Sequence, residues 1–450
     1  MVLWIGVDDT DSLRGMCTSF LATELVRELT TEYNLIGYPR LVRLNPNVPW
    51  KTRGNAAICI RVGTGTGSAL AIGQVGHRDI LTFPRARGEE DMDSVRDTVA
   101  SLVEKWSRFD DATTNPGFVV LRRPPNPGFY WRTVRDIVSR SEALRNVRGL
   151  GTARGYKNGR GVIGAVAAVS WRPRDRTYEL IAYRDPSKWG EPRAIDPSSV
   201  IEMDRSFPST FNNYDYVNDR VVVAPHSPCP VLFGIRGDNP VVLPAAGRSI
   251  CGESPERWLI FETNQGTDDH VSPRPSFRPH TAGVFAGKVD SAPRSLRGGH
   301  VVFGLEGMDV TAYEPSKQFR GVVRQLALGD HVEVIASVRA FPRTLNLEKL
   351  RVVSLARVVR KASNPACESC DKRMKSLGRA GGFRCIRCGT RAPQSASRFE
   401  EVERDLDLGW YESPVSARRH LAKPLKRMVL PRTLNGTKAP WLRLAASMPS

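Results

Sequence analysis

Four cysteines carry the most specific chemistry in the chain. Cys367-Glu368-Ser369-Cys370 and Cys385-Ile386-Arg387-Cys388 are two thiol pairs with fourteen residues between them. Each C-x-x-C loop offers two thiolates, and two such loops close a tetrahedral shell around one zinc ion, leaving no open position for a substrate. Cys367, Cys370, Cys385 and Cys388 are therefore expected to hold a structural zinc ribbon. Gly378, Gly381, Gly382 and Gly389 supply its turns, and Lys372, Arg373, Lys375, Arg379, Arg384 and Arg387 make it basic. Cys17, Cys59, Cys229 and Cys251 are scattered singly and read as small apolar residues.

The second constellation is Asp8, Asp9 and Asp11 around Thr10, directly after the apolar run Trp4–Val7. Carboxylates this close repel one another unless a hard cation neutralises them, and Mg²⁺ shared with phosphate oxygens is a common solution. Ligands of open α/β sheets bind beyond the carboxyl ends of strands, which is where this run falls. Arg14-Gly15-Met16-Cys17-Thr18-Ser19 then opens a helix whose free N–H groups suit phosphate. A plain acidic turn or helix cap is the alternative. Between two further apolar runs, Asn45–Asn55 holds Lys51 and Arg53 in a loop stiffened by proline, placed to clamp ATP phosphates or an RNA backbone, or else simply exposed.

Weaker signals follow. Gly159-Arg160-Gly161 and Gly234–Asp238 set arginines where backbone can approach a ligand, and Asp215 and Asp238 could pair a cationic substrate. His270, closing Asn264–His270, is a base or a structural residue. Ala417–Arg427, preceded by Trp410 and Tyr411, mixes cations with aromatics as an RNA-contacting segment does, although a solvated tail has the same composition.

The elements that must position these residues divide the chain into four. Strand Trp4–Val7, a helix over Met16–Tyr33 with Leu21, Leu25 and Leu29 on one face, strands Leu41–Leu44 and Ala56–Val62, and a helix over Asp91–Trp106 predict an α/β domain, residues 1–116. Residues 117–279 predict an α+β, ferredoxin-like domain, with a helix near Thr133–Ala143 and strands at Gly161–Val169, Glu179–Tyr183 and Trp258–Phe261. Residues 280–360 hold five short β runs and one helix near Phe319–Leu328, which suggests an OB-type β-barrel. The zinc ribbon and a basic C-terminal segment fill residues 361–450.

Charge points to the partner. The chain of 450 residues has 66 Lys and Arg against 47 Asp and Glu, a net charge of +19, and residues 351–450 alone hold 21 cationic against 8 acidic residues. A polyanion is implied, and nucleic acid fits better than a membrane, because no run approaches about 18 apolar residues. A cytoplasmic protein with no membrane partner is expected.

Together the segments IGVDDTDSLRGMCTSFLA (Ile5–Ala22), LNPNVPWKTRGN (Leu44–Asn55), TFNNYD (Thr210–Asp215), VLFGIRGDN (Val231–Asn239), FETNQGTDDH (Phe261–His270), the zinc ribbon and ARRHLAKPLKR resemble the archaeal tRNA-isoleucine 2-agmatinylcytidine synthetases over nearly the whole chain. Asn55-Ala56-Ala57 departs from the family pattern, where a second glycine is expected. The resemblance implies a cytidine-kinase-like domain followed by ferredoxin-like, OB-fold and zinc-ribbon domains. It implies an ATP-dependent ligase that phosphorylates the 2-carbonyl oxygen of the wobble cytidine in an isoleucine tRNA with a CAU anticodon. Agmatine then displaces the phosphate, and decoding changes from AUG to AUA. It also implies ATP cleavage to AMP and phosphate, with self-phosphorylation at Thr18. On this reading Asp8, Asp9 and Asp11 hold Mg²⁺, Arg14, Gly15, Lys51 and Arg53 hold phosphates, and Asp215 and Asp238 receive agmatine. Two rivals stand beside it: a non-catalytic OB-fold and zinc-ribbon RNA-binding protein, and a phosphoesterase, which lacks histidines near the aspartate loop.

Overall fold

The computed structural model describes residues 2–428 apart from 53, 89, 379 and 380. The expectation for Arg53, and the part of the basic tail beyond residue 428, lie outside the described residues.

Strand Leu3–Asp8 lies inside the large N-terminal sheet, pairing antiparallel with Ala56–Thr66 on one side and Gly117–Leu121 on the other. Side chains alternate across it as a two-residue period requires. Ile5, Val7, Phe118 and Val120 face helices α1 (Thr18–Leu29) and α2 (Met92–Trp106), meeting Phe20, Leu21, Leu25, Val95 and Val99. Val119 and Leu121 face the other way, onto α3 (Pro127–Arg135), α4 (Arg140–Val147) and α5 (Gly161–Ser170). The predicted stripes of α1 and α2 are buried as the 3.6-residue period demands. Asp91 caps α2 by accepting from the N–H groups of Asp93 and Ser94.

Two expected elements differ. The single helix near Thr133–Ala143 is two helices, because Asn126 and Pro127 start α3 early and Ser139 starts α4 by accepting from the N–H of Glu142. Gly161–Val169 is a helix and not a strand. Its residues are buried on nearly every side, so its apolar pattern has no helical period to read, and a short continuous apolar run suits either structure.

The sheet does not stop at residue 116. Strand Arg257–Thr263 pairs antiparallel with Thr177–Tyr183 and Leu70–Val75, and parallel with Arg40–Arg43. Thirteen strands thus join the first 270 residues into one sheet that crosses the expected boundary. Beyond it, Ala282–Ser295, Val301–Leu305, Met308–Ala312, Leu345–Ser354 and His331–Val338 pair in that order, and the last returns to the first to close a barrel. Phe303, Val310, Val323, Val334 and Leu350 fill it. The cysteine module is a small three-stranded sheet, Lys375–Ser376, Phe383–Arg384 and Arg391–Ala392. After strand Gly409–Glu412, which adds to the barrel sheet, residues 413–428 run back across the molecule as an irregular strap. Among the described residues no helix is long and apolar enough to cross a membrane.

Candidate active site

Asp8 is the last residue of strand Leu3–Asp8, and α5 passes directly over it. A Cβ at Gly164 would sit 1.8 Å from Asp8 Oδ2, and one at Gly6 would sit 2.2 Å from the Ala165 carbonyl oxygen. The helix can lie this close only because those positions lack side chains. Asp9 takes a left-handed backbone (φ 58°) and its carboxylate accepts two bonds from Arg160 at the start of α5, at 3.2 and 3.1 Å. Asp11 turns the other way. Its Oδ1 accepts from the Thr18 N–H at 2.5 Å and from the Thr18 hydroxyl at 2.9 Å, doing for α1 what its cap residue, Cys17, does not. Thr10 donates to the same hydroxyl oxygen at 3.0 Å.

Burial, reinforced by the charges of Asp9 and Asp11, pushes the Asp8 carboxyl well above its usual range. Burial also pushes Asp9 up to about 7 against the pull of Arg160. The cluster is therefore short of positive charge. That shortage, with oxygen donors on adjacent turns, fits a hard divalent cation.

Two pockets meet here, sharing Asp11, Thr18 and Ala56. The first is lined by Asp8, Asp9, Lys51, Asp136 and Arg160 and is walled by Trp50 and Ile137. The second is lined by Arg43, Glu179, Arg236 and His420, with Ile181, Val223 and Val231 at its apolar side. The loop carrying Lys51 is held from outside the sheet. Asn45 donates to the carbonyls of Asp136 and His280, and Arg419 donates to Asn47 Oδ1 at 2.5 Å. Lys51 itself donates to the Pro46 carbonyl of its own loop.

The structure brings Asp8, Asp9, Asp11, Thr18 and Lys51 together. Arg14 and Gly15 line neither pocket: Arg14 is exposed and pairs with Asp110 at 3.1 Å. Asp215 and Asp238 are likewise elsewhere. Asp215 accepts from Asn218 and from Ser416 of the strap, and Asp238 pairs with Arg427 at 2.8 Å. His270 is buried and bonded to Glu348 Oε2 at 3.0 Å, tying its turn to the barrel, and it lines neither pocket. The strap's cations are also taken. Arg418 and Arg419 pair with Glu412 and Glu348, Lys423 and Arg427 with Asp175. The segment Ala417–Arg427, read from the sequence as RNA-contacting, fastens the barrel to the sheet through these pairs. The sequence marks Arg160 only as an arginine between glycines, and no local signal singles out Arg43, Gly164 or His420.

In the cysteine module the four Sγ atoms lie within 4.8 Å of one another, with contacts of 3.4 to 3.8 Å. Thiolates around one tetrahedral zinc stand about 3.8 Å apart, so the donor set fits that ion.

Family models of the TiaS TCKD domain, the TiaS FLD domain and the TiaS C-terminal zinc ribbon domain match residues 4–158, 159–270 and 364–406. The tRNA-isoleucine 2-agmatinylcytidine synthetase TiaS of Methanocaldococcus jannaschii is 39% identical, covering 95% of this chain and 99% of its own length. The chain belongs to the TiaS family of 2-agmatinylcytidine synthetases. Another TiaS, from Methanosarcina mazei, is 41% identical over 94% of this chain and 97% of its own. Among solved structures, a complex of TiaS with its isoleucine tRNA and ATP superposes with a TM-score of 0.83 at 38% identity, over 96% of this chain and 98% of that one. A complex of TiaS with the same tRNA, AMPCPP and agmatine gives 0.80 at 36% identity, over the same shares. TiaS relatives thus match the sheet, the barrel and the ribbon in one chain.

Proposed function

We propose that this chain is an ATP-dependent ligase that joins agmatine to the wobble cytidine of an isoleucine tRNA with a CAU anticodon, forming 2-agmatinylcytidine. One observation carries the reading. Two pockets of opposite character converge on Thr18, one rich in carboxylates and one holding arginines, in a chain whose relatives are solved with isoleucine tRNA, ATP and agmatine. A non-catalytic RNA-binding protein has no use for that convergence.

The oxygen on C2 of cytidine is a poor leaving group until it is phosphorylated. A phosphoryl group of ATP passes to it, the primary amine of agmatine attacks C2, and the C2–O bond breaks with release of phosphate and a proton. The base must be flipped out of its stack to be reached. Its product pairs with A in place of G, so AUA replaces AUG. Asp8, Asp9 and Asp11 would hold Mg²⁺, which when bound neutralises phosphate charge. Thr18, its hydroxyl donating to Asp11, is the self-phosphorylated residue. Lys51, which lines the first pocket, balances phosphate charge there. Agmatine is a dication, and the first pocket, with four aspartates against Lys51 and Arg160, suits it better than Asp215 and Asp238, which are already bonded.

Residues 4–158 are the cytidine-kinase-like unit on this reading, 159–270 the ferredoxin-like unit, and the closed barrel an OB-fold, the last supported by its strand order. The enzyme works in the cytoplasm, where tRNA is. The test is ATP turnover by the purified chain with tRNA, agmatine and Mg²⁺. Asp8→Asn should abolish ATP cleavage while tRNA binding survives, and Thr18→Ala should remove phosphate label from the protein. Normal turnover by Asp8→Asn would exclude the aspartate loop as the metal site.

A further inference from the structure

Arg43 is the anomaly of the second pocket. Among the described residues its guanidinium makes no hydrogen bond and no ion pair, and its Nε is buried without a partner. A charged fork left unsatisfied inside a protein is costly unless something else completes it. The space around it is built. A Cβ at Gly54 would lie 2.5 Å from Arg43 Nη1, and one at Gly234 would lie 2.8 Å from Glu179 Oε1, so two glycines make room for the groups that line the cavity.

The other charges nearby are accounted for. Glu179 is neutralised by Arg236, whose Nε lies 2.9 Å from it and also donates to Gln265 at 3.0 Å. Among the described residues the terminal nitrogens of Arg236 bond no protein group. Asp11 accepts from the neutral N–H and hydroxyl of Thr18 and keeps its charge at the pocket edge. Arg43, burial and Arg236 hold His420 well below its usual pKa, so it enters the pocket as a neutral N–H group. Burial lowers Arg43 itself only to about 10, which leaves it charged at neutral pH. The pocket therefore sets two guanidiniums, Arg43 and Arg236, beside the carboxylates of Glu179 and Asp11, and offers spare guanidinium N–H groups with the Thr18 hydroxyl at its edge.

We propose that Arg43 and Arg236 form a subsite for a phosphate-class anion, entered beside Thr18 in the pocket that adjoins the aspartate pocket. Guanidinium forks match phosphate oxygens in geometry, and the unpartnered Arg43 fork is a donor that a cationic amine such as agmatine cannot satisfy. This deepens the functional reading above by naming where a phosphate rests; the group is either part of the bound nucleotide or phosphate already freed.

The experiment titrates the zinc-loaded full chain with inorganic phosphate and, separately, with AMPCPP, by calorimetry. Arg43→Gln should weaken at least one of them tenfold or more, with the unfolding midpoint unchanged because the side chain bonds nothing. Arg43→Lys should recover part of the loss. Weakened AMPCPP binding identifies the nucleotide's phosphates as the occupant, and weakened inorganic phosphate alone identifies the freed one. Undiminished binding of both by Arg43→Gln, or binding of neither by the wild type, overturns the subsite. The functional reading fails by a different result, the absence of ATP cleavage with tRNA and agmatine present.

Discussion

Single atoms decide whether Asp8 can do its work. Its carboxylate fits beneath α5 only because residue 164 has no Cβ. Gly164→Ala should improve helix propensity by about 1 kcal/mol, yet force the carboxylate or the helix to move. Misplacement of about 1 Å at a reacting centre can cost about 100-fold, and ATP cleavage by Gly164→Ala should fall by about that factor while tRNA binding holds. Steady-state turnover beside a filter-binding titration checks both, and unchanged turnover would mean the close approach is incidental. At this scale the sequence is a good guide where residue type and local spacing carry the chemistry. The aspartate run and the four cysteines stand out within a few residues, whereas the role of Thr18 comes only with the family resemblance. Arg160, which pairs with Asp9 across 151 positions, and Arg43, whose importance lies in having no partner, have no local signature.

Elements are legible in proportion to their amphipathicity. Helix α2 buries one stripe and α1, buried on nearly every side, still keeps polar residues between its leucines, so both can be read as helices, whereas α5 is apolar all round and reads as a strand. The strap misleads for another reason: its cations look free until the fold supplies Asp175, Glu348 and Glu412. Its fastening to the barrel has a consequence in acid. Burial alone would raise the Glu348 carboxyl, but Arg419, His270 and Lys349 outweigh it and hold the group at about 2, against an ordinary value of 4.5. Below pH 4.5 the unfolded chain takes up a proton that the folded chain refuses. Stability contributed by Glu348, on the order of 3 kcal/mol, is therefore present above pH 4.5 and lost as pH falls toward 2. Denaturant unfolding across that window should show a shallower decline for Glu348→Gln than for the wild type. Parallel declines would remove the strap contact from the acid response.

At the scale of the whole molecule, one sheet of thirteen strands carries the candidate site, the ribbon holds a basic run of lysines and arginines, and the strap ties barrel to sheet. The ribbon's four thiolates fill the shell of a zinc ion, so its contribution is to binding and not to the chemical step. Replacing Cys385 and Cys388 with Ser should unfold the module, which owes its stability to the metal. Affinity for tRNA should then drop and depend less steeply on salt, because fewer phosphate contacts release fewer counterions. ATP cleavage measured without tRNA should change far less. Superimposable salt series would show that the ribbon does not touch RNA. The central claim is the transfer itself, and the most direct measurement is the mass of the wobble nucleoside. The purified chain is incubated with the CAU-anticodon isoleucine tRNA, ATP and agmatine, and the tRNA is then digested to nucleosides. Cytidine at that position should gain the mass of agmatine less one water, and only when ATP is present. Cytidine of unchanged mass after ATP has been consumed would contradict the account.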